Sequence, residues 1–268
     1  MLRTRAIVTL IGVPVVFALI YVGGWLFFAA VALIILFGVY EYCVINSHLG
    51  WHLPQWLLMA CILLLLLTNG HPPWIQFANV SLAATLVISI LCALWQYEVK
   101  QLHHVLPRWF AFVSGLVLFG WMGSHLLKIR AVDLGEQWTI AIVGMIFAVD
   151  VGAYLVGRQW GRRPLAPRLS PKKSIEGYLG GLFLGVPVLL LLKPLLFGAL
   201  PWGALTGLAI LFALILPAGD LFFSLLKREA GIKDASKIIP GHGGILDRLD
   251  TVLWGSTIGY YILVYLIL

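Results

Sequence analysis

Charge is scarce in this sequence. Lys and Arg number 18 and Asp and Glu 11 among 268 residues, 11% in all, where a soluble domain carries about 25%. Hydrophobic residues make up 61% and the mean hydropathy is +0.99. No soluble core could hide that much apolar surface, so an aqueous globular domain is excluded. Cysteine is scarce too. Cys43, Cys61 and Cys92 share no metal-type spacing, and an odd number lying in or beside apolar runs argues against a closed disulfide framework. Internal repeats are not evident, and the Leu-rich stretches at 62–67 and 189–192 are ordinary lipid-facing sequence. Met1-Leu-Arg-Thr-Arg opens as a signal peptide would, but no small-residue cleavage site precedes a polar segment, so a retained first span is expected.

What the sequence does have is apolar runs of membrane length. Crossing the hydrocarbon takes about 20 apolar residues as a helix. Runs near that size lie at 6–22, 25–45, 54–69, 77–97, 109–127, 137–157, 178–199, 201–223 and 251–268. The expected fold is an all-α polytopic membrane protein of about nine transmembrane helices, a single integral membrane domain over 1–268. Arg3 and Arg5 precede the first run. Arg158, Arg162, Arg163, Arg168, Lys172 and Lys173 follow the sixth, and Lys227, Arg228, Lys233, Lys237 and Arg248 lie before the ninth. With nine spans all three sets fall on one side, which the positive-inside rule places in the cytoplasm. Lys100 and Arg108 agree with this orientation; Lys128 and Arg130 do not. Positions 150, 158–176 and 220–250 hold seven of the eleven acidic and eleven of the eighteen basic residues. Residues 1–135 therefore read as mainly scaffold spans and 136–268 as the spans and loops that carry chemistry. Trp51, Trp56, Trp109 and Trp138 read as an interfacial aromatic belt, and the histidines at 48, 52, 71, 103, 104 and 125 as interface or loop residues.

Asp220, Ser224, Lys227 and Arg228 share one helical face by their spacing. A carboxylate at the end of an apolar helix is costly and marks a functional site by default. Pro240-Gly-His-Gly-Gly244 follows; its glycines allow close backbone approach to a ligand and an anion-binding nest, with His242 read as a phosphate contact. Asp247 and Asp250, one turn apart, open the last helix with Arg248 beside them. Carboxylates mixed with cations suit a nucleotide–metal site. Mg²⁺ is held by one or two carboxylates plus phosphates and water, and a metal between Asp220 and Asp247 would draw the last two helices together. Nucleotidyl transfer needs positioning and charge stabilisation more than covalent help. A loop that only sets topology would account for Lys237 and Glu229, but not for Asp220 or the glycine turn. Asp150 and Tyr154 share a face inside the sixth span; Asp150 could hold a metal, orient a cation or lock packing. Glu41, with Tyr42, ends the second span and is either interfacial or part of the cavity wall.

The stretch Ser224-x-Leu-Lys-Arg-x4-Lys-Asp-x-Ser-x2-Ile-Pro-x-His-Gly-Gly-Ile-x-Asp-Arg-Leu-Asp250 resembles the signature of the phosphatidate cytidylyltransferase (CDP-diglyceride synthetase) family. Ser170-Pro-Lys-Lys-Ser-Ile-Glu-Gly177 is similar to that family's Ser-Pro-x-Lys-(Ser/Thr)-x-Glu-Gly element, with Lys172 at its variable place. This second stretch reads as a phosphate-binding or CTP-positioning loop, stiffened at entry by Pro171 and freed at exit by Gly177. The resemblance implies a metal-dependent nucleotidyltransferase of phospholipid biosynthesis in a bacterial inner membrane. Its polar cavity faces the cytoplasm, as do the N-terminus and active-site loops. CTP and phosphatidic acid would give CDP-diacylglycerol and pyrophosphate. Asp220 and Asp247 would hold Mg²⁺, with a second ion, monovalent or divalent, left open. Lys227 and Arg228 join them as catalytic groups. Substrate binding falls to Lys173, Ser174, Glu176, Ser224, Lys233, Asp234, His242, Gly243, Gly244, Arg248, Asp250 and Asp150. Membrane lipids are the expected surroundings, no nucleic-acid partner is expected, and a homodimer is left open. The rivals are a transporter for a phosphorylated metabolite or cation, and a CTP-dependent transferase acting on another lipid head such as a polyprenol.

Overall fold

A computed structural model describes residues 2–70, 72–196, 201–236 and 243–267, with side chains at all of these except 2–11, 72, 195 and 196. The chain is helical almost throughout. Four helices, α1 (Leu2–Val22), α2 (Gly24–His48), α3 (Gln55–Gly70) and α4 (Ala78–Glu98), lead to α5 (Val105–Gly115). A π-helical segment, Leu116–Met122, joins α5 to α6 (Gly123–Ala131), and α7 (Gly135–Trp160) follows. Next come β1 (Pro164–Ala166), β2 (Ser170–Ser174), α8 (Ile175–Leu191), the short α9 (Lys193–Leu196), α10 (Trp202–Ile215), α11 (Pro217–Glu229) and α12 (Leu246–Ile262).

Among the described residues six helical stretches are long and apolar enough to cross a membrane: Gly24–His48, Pro73–Glu98, Val105–Ala131, Gly135–Trp160, Trp202–Glu229 and Leu246–Ile267. Gly12–Val22, Gln55–Gly70 and Ile175–Leu191 are shorter apolar helices. These coincide with the nine apolar runs, and the protein is an all-α polytopic membrane protein. Helices prevail because lipid offers no partner to a backbone N–H or C=O, and a helix satisfies both within itself.

Two groups of side chains hold the bundle together. Leu58, Leu65, Phe119, Phe223 and Leu249 belong to one, joining α3, the π-helical segment, α11 and α12. Met145, Ile146, Ala209, Phe212 and Leu216 belong to the other, joining α7 and α10. The turn from α1 to α2 runs through Gly23 and Gly24, both with positive φ. Arg130 closes that turn: its Nε donates to the Ile20 carbonyl at 2.9 Å, satisfying an orphan acceptor at the end of α1. Lys128 lies 5.7 Å from the centre of the Tyr260 ring. The two cations that fit poorly with the charge-based orientation therefore have local packing roles. His125 is fully buried, against Trp121 and Tyr260, and is not the interface or loop residue expected. Trp138 is likewise buried in the core, so it does not belong to the exposed belt.

Helix α7 runs on to Trp160, and the stretch expected as a loop is an antiparallel hairpin, with Pro164 opposite Ser174 and Ala166 opposite Ser170. Gly177 is not a freed exit. It lies in the first turn of α8, where an added Cβ would stand 2.8 Å from the Ala153 carbonyl oxygen. Such contacts recur along the α7–α8 seam, as at Gly152, whose Cβ would meet the Gly180 carbonyl oxygen at 2.5 Å. Small residues let membrane helices approach closely where no hydrophobic force drives them together. Gly152→Val is expected to lower stability by about 2 kcal/mol, the cost of overpacking a closed contact. Gly144→Val on the same helix, where a Cβ meets nothing within 4 Å, should be close to neutral. Thermal unfolding in detergent separates the two, and equal effects would rule out the close seam as the constraint.

Candidate active site

A cavity of about 440 Å³ opens among α7, the hairpin, α8, α11 and α12. All its lining residues lie between 149 and 251. Four carboxylates (Asp150, Asp220, Asp247, Asp250) face four cations (Arg158, Lys172, Lys173, Arg248) across it. The first turns of three helices form part of the wall: Ser174 and Gly177 at α8, Pro217 and Asp220 at α11, and Asp247 at α12. Such turns carry unsatisfied N–H groups and the positive end of the helix dipole, which suits carboxylates and phosphates alike.

Each first turn has its own local cause. The Ser174 hydroxyl caps α8 by accepting from Gly177 N at 3.1 Å, which leaves its proton to donate elsewhere. The Glu176 carboxylate accepts from Arg162 N at 2.9 Å and Arg163 N at 3.1 Å, tying the strand entering the hairpin to the helix leaving it. Helix α11 starts at Pro217, a residue suited to the first helical position. Asp220 thus sits in the first turn of α11, in the later part of the eighth apolar stretch, which continues as one helical span over Trp202–Glu229. On α12, Asp247 accepts from Gly244 N at 3.1 Å.

Both carboxylates expected to hold metal are ion-paired, Asp220 with Lys173 and Asp247 with Lys227. The side chains of the first pair are 28% and 30% exposed, those of the second 11% and 15%. Of the two paired lysines Lys173 is the more exposed and lines the cavity, while Lys227 does not. Ser224 donates to Asp220 at 3.4 Å. Asp150 opens onto the cavity, and Thr251 Oγ1 joins it at 3.3 Å to Asp250, also at 3.3 Å.

Not every expected site residue reaches the cavity. Arg228 donates from Nε to the Leu169 carbonyl at 3.1 Å, which anchors the hairpin carrying Lys173. Lys233 and Asp234 are exposed and do not line the cavity. Gly243 and Gly244 lie behind Asp247; an added Cβ would stand 2.9 Å from Asp247 Oδ2 at Gly243, which has φ +84°, and 2.5 Å from Glu41 Oε2 at Gly244. His242 lies outside the described residues. Tyr154, Arg158, Lys172, Tyr178 and Thr251 line the cavity without having been singled out as site residues. The i, i+4 spacing of Tyr154 and Arg158 from Asp150 was the available signal for two of them.

Glu41 is the residue least legible beforehand. It comes from α2, in the half read as scaffold, and is fully buried. It is neither interfacial nor part of the cavity wall. Its carboxylate accepts from Ile245 N at 3.0 Å and Leu246 N at 2.7 Å, and from the Ser236 hydroxyl. It caps α12 from another helix and grips both ends of the segment that carries the glycine turn.

Fold and cavity together define a membrane protein with a charged site suited to phosphorylated ligands. The chain belongs to the cytidylyltransferase family, whose model matches residues 3–266. It is 32% identical to the phosphatidate cytidylyltransferase of Synechocystis sp., over 98% of this chain and 97% of that one. Identity to the Staphylococcus aureus enzyme of the same name is 27%, over 94% and 95%. The Mycobacterium bovis enzyme of that name is 41% identical over 133 residues, 49% of this chain and 43% of the relative.

Glu41→Ala would strand two buried N–H groups and is expected to cost about 3 kcal/mol. Glu41→Gln should recover part of the loss, because an amide keeps one carbonyl acceptor. Thermal unfolding in detergent measures both, and an Ala variant as stable as wild type would show that the cap does not hold α12.

Proposed function

We propose that the protein transfers the cytidylyl group of CTP to phosphatidic acid, releasing pyrophosphate and forming CDP-diacylglycerol. Membership of the cytidylyltransferase family and similarity along nearly the whole chain to phosphatidate cytidylyltransferases support the reaction. The observation that carries the site is the cavity where Lys173–Asp220 and Asp247 meet at three helix N-termini. A phosphatidate oxygen attacks the α-phosphorus of CTP in line; the bond to the β-phosphate oxygen breaks, and its electron pair leaves with pyrophosphate. The attacking phosphate is already ionised, so no general base is required.

The wall explains why a metal belongs in this reading. Among the described residues four carboxylates against four cations leave the lining with no formal net charge, whereas a phosphate monoester alone brings about −1.5 to −2. Among the described residues no three metal-ligating groups converge. Mg²⁺ needs only one or two carboxylates, the rest of its shell coming from phosphates and water, and the hard oxygen donors Asp220 and Asp247 fit that demand. Bound there, Mg²⁺ would neutralise phosphoryl charge and ease departure of pyrophosphate. Lys173, released from Asp220, would move onto the triphosphate, and the Ser174 hydroxyl would donate to it. Arg248 would take phosphate bidentately. Lys227 keeps Asp247 oriented, and Arg228 holds the hairpin. Asp150 and Asp250, joined through Thr251, stand by for a second cation or a ribose hydroxyl. In the bacterial inner membrane the hairpin, with its run of arginines and lysines, would face the cytoplasm.

The reaction is tested with purified protein in detergent, phosphatidate, Mg²⁺ and CTP labelled at the α-phosphate. Label should move into a lipid that co-migrates with CDP-diacylglycerol on thin-layer chromatography, and EDTA should abolish it. Asp220→Asn and Asp247→Asn should each lower turnover about 10²–10³-fold, by analogy with the loss of one strong transition-state contact, while the protein stays folded. Near-wild-type turnover in both would overturn the metal assignment. Label staying in the aqueous phase with folded protein would overturn the reaction.

A further inference from the structure

Helix α12 separates two cavities of opposite character. Asp247, Asp250 and Thr251 face the polar one. Leu249, Val252, Leu253 and Ser256 face a second space of about 200 Å³ enclosed by α1, α2, α6 and α7. The two sets follow from helical periodicity, since residues three and four apart share a face. Arg248 falls between them and lines both cavities. Among the described residues that wall the second space, all but Arg248 and Ser256 are apolar or glycine, among them Val31, Ile35, Val143 and Phe147. An apolar cavity of about 150 Å³ already stays dry and takes up benzene, so this one suits hydrocarbon and not water.

We propose that this cleft holds an acyl chain of the phosphatidate substrate, with Arg248 at the junction gripping the lipid's phosphate. The inference rests on the reading that the acceptor is phosphatidate. Such a lipid must put its phosphate among charges and its chain among hydrocarbons, and the two must connect without drawing methylenes across the charged wall. At Arg248 the two cavities share a residue. Its guanidinium is the group that binds phosphate bidentately, and its aliphatic stem can lie along apolar surface. A bulk lipid chain with no head-group preference would have no use for an arginine at the mouth.

Photolabelling tests this on the wild-type protein in phosphatidylcholine vesicles. Phosphatidate with a diazirine midway along one chain is added at low mole fraction, irradiated without CTP, and adducts are located by mass spectrometry. Adducts are expected on cleft residues such as Val31, Val143 or Phe147, and unlabelled phosphatidate should compete them away. Adducts confined to outward residues such as Leu91, which is exposed on α4, would overturn the proposal. So would equal cleft labelling by phosphatidylcholine bearing the same diazirine. Labelling needs no turnover. Cleft adducts in a protein that moves no label from CTP would therefore refute the reaction and keep the lipid site, and turnover without cleft adducts would do the reverse. In addition, Ala30→Phe, which fills the cleft, should lower the ratio of kcat/KM for long-chain over short-chain phosphatidate about tenfold, equivalent to losing burial of about two methylene groups. An unchanged ratio would count against the cleft.

Discussion

A carboxylate taken out of water costs several kcal/mol unless it is paired and hydrogen-bonded, and Asp220 and Asp247 both stand in apolar helical stretches. Their pairing with Lys173 and Lys227 is the condition that the rest of the site serves. Lys173 has to be brought from outside the helical bundle, and the hairpin brings it, held at one end by Glu176 and at the turn by Arg228. Lys227 lies two turns beyond Asp220 on α11 yet reaches across to Asp247, so this second pair ties α11 to α12. Charges placed this way are also exchangeable. In the proposed reaction a phosphate would take over Lys173 and a cation Asp220, which leaves neither charge bare.

Helix starts inside the membrane are the second part of the same solution. Pro217 has no N–H and interrupts the hydrogen-bond ladder of the Trp202–Glu229 stretch, which puts Asp220 in the first turn of α11. Non-helical backbone at such depth is tolerated only where it is buried in protein or lines a polar cavity. That requirement accounts for Glu41. At the start of α12 the N–H groups of Ile245 and Leu246 need an acceptor, and α2, against which the last helix packs, supplies the carboxylate.

Much of this was legible from the chain, and the part that was not has a common reason. Nine apolar runs predict nine helices because lipid imposes length and apolarity on each run separately. Asp220, Asp247, Lys173 and Arg248 stand out because charge is rare in such a sequence and because their spacing falls into a signature. What periodicity could not show is which charge meets which. Lys227 belongs to Asp247 and not to the face it shares with Asp220. Arg228, on that face too, turns to a hairpin carbonyl. Glu41 lies 204 residues from the N–H of Ile245, and no local pattern connects them. The hairpin was missed for a related reason: three- and five-residue strands leave too little alternation to detect. His125 failed in the opposite direction, since polar residues near an apolar run read as boundary residues until a ring of aromatics encloses them.

Burial of α12 on more than one face links these elements. A lipid-facing helix can spend one side on hydrocarbon, but α12 has charge against one face and an apolar cleft against the other, with neighbours closing the gaps. Glycines make that crowding geometrically feasible. A Cβ at Gly219 would stand 2.7 Å from Trp254 Cβ, and one at Gly255 would stand 2.7 Å from side-chain carbons of both Ile146 and Leu216. With α7, α10 and α11 drawn this close, the helix cannot roll about its axis. Its polar and apolar faces therefore stay aimed at their separate cavities, and Arg248, between them, lines both. An amphipathic substrate needs that kind of wall, because its two halves must be kept in different solvents within a few ångströms of one another. The rigidity of the glycine-lined contacts, more than any single charge, is what keeps the two environments apart.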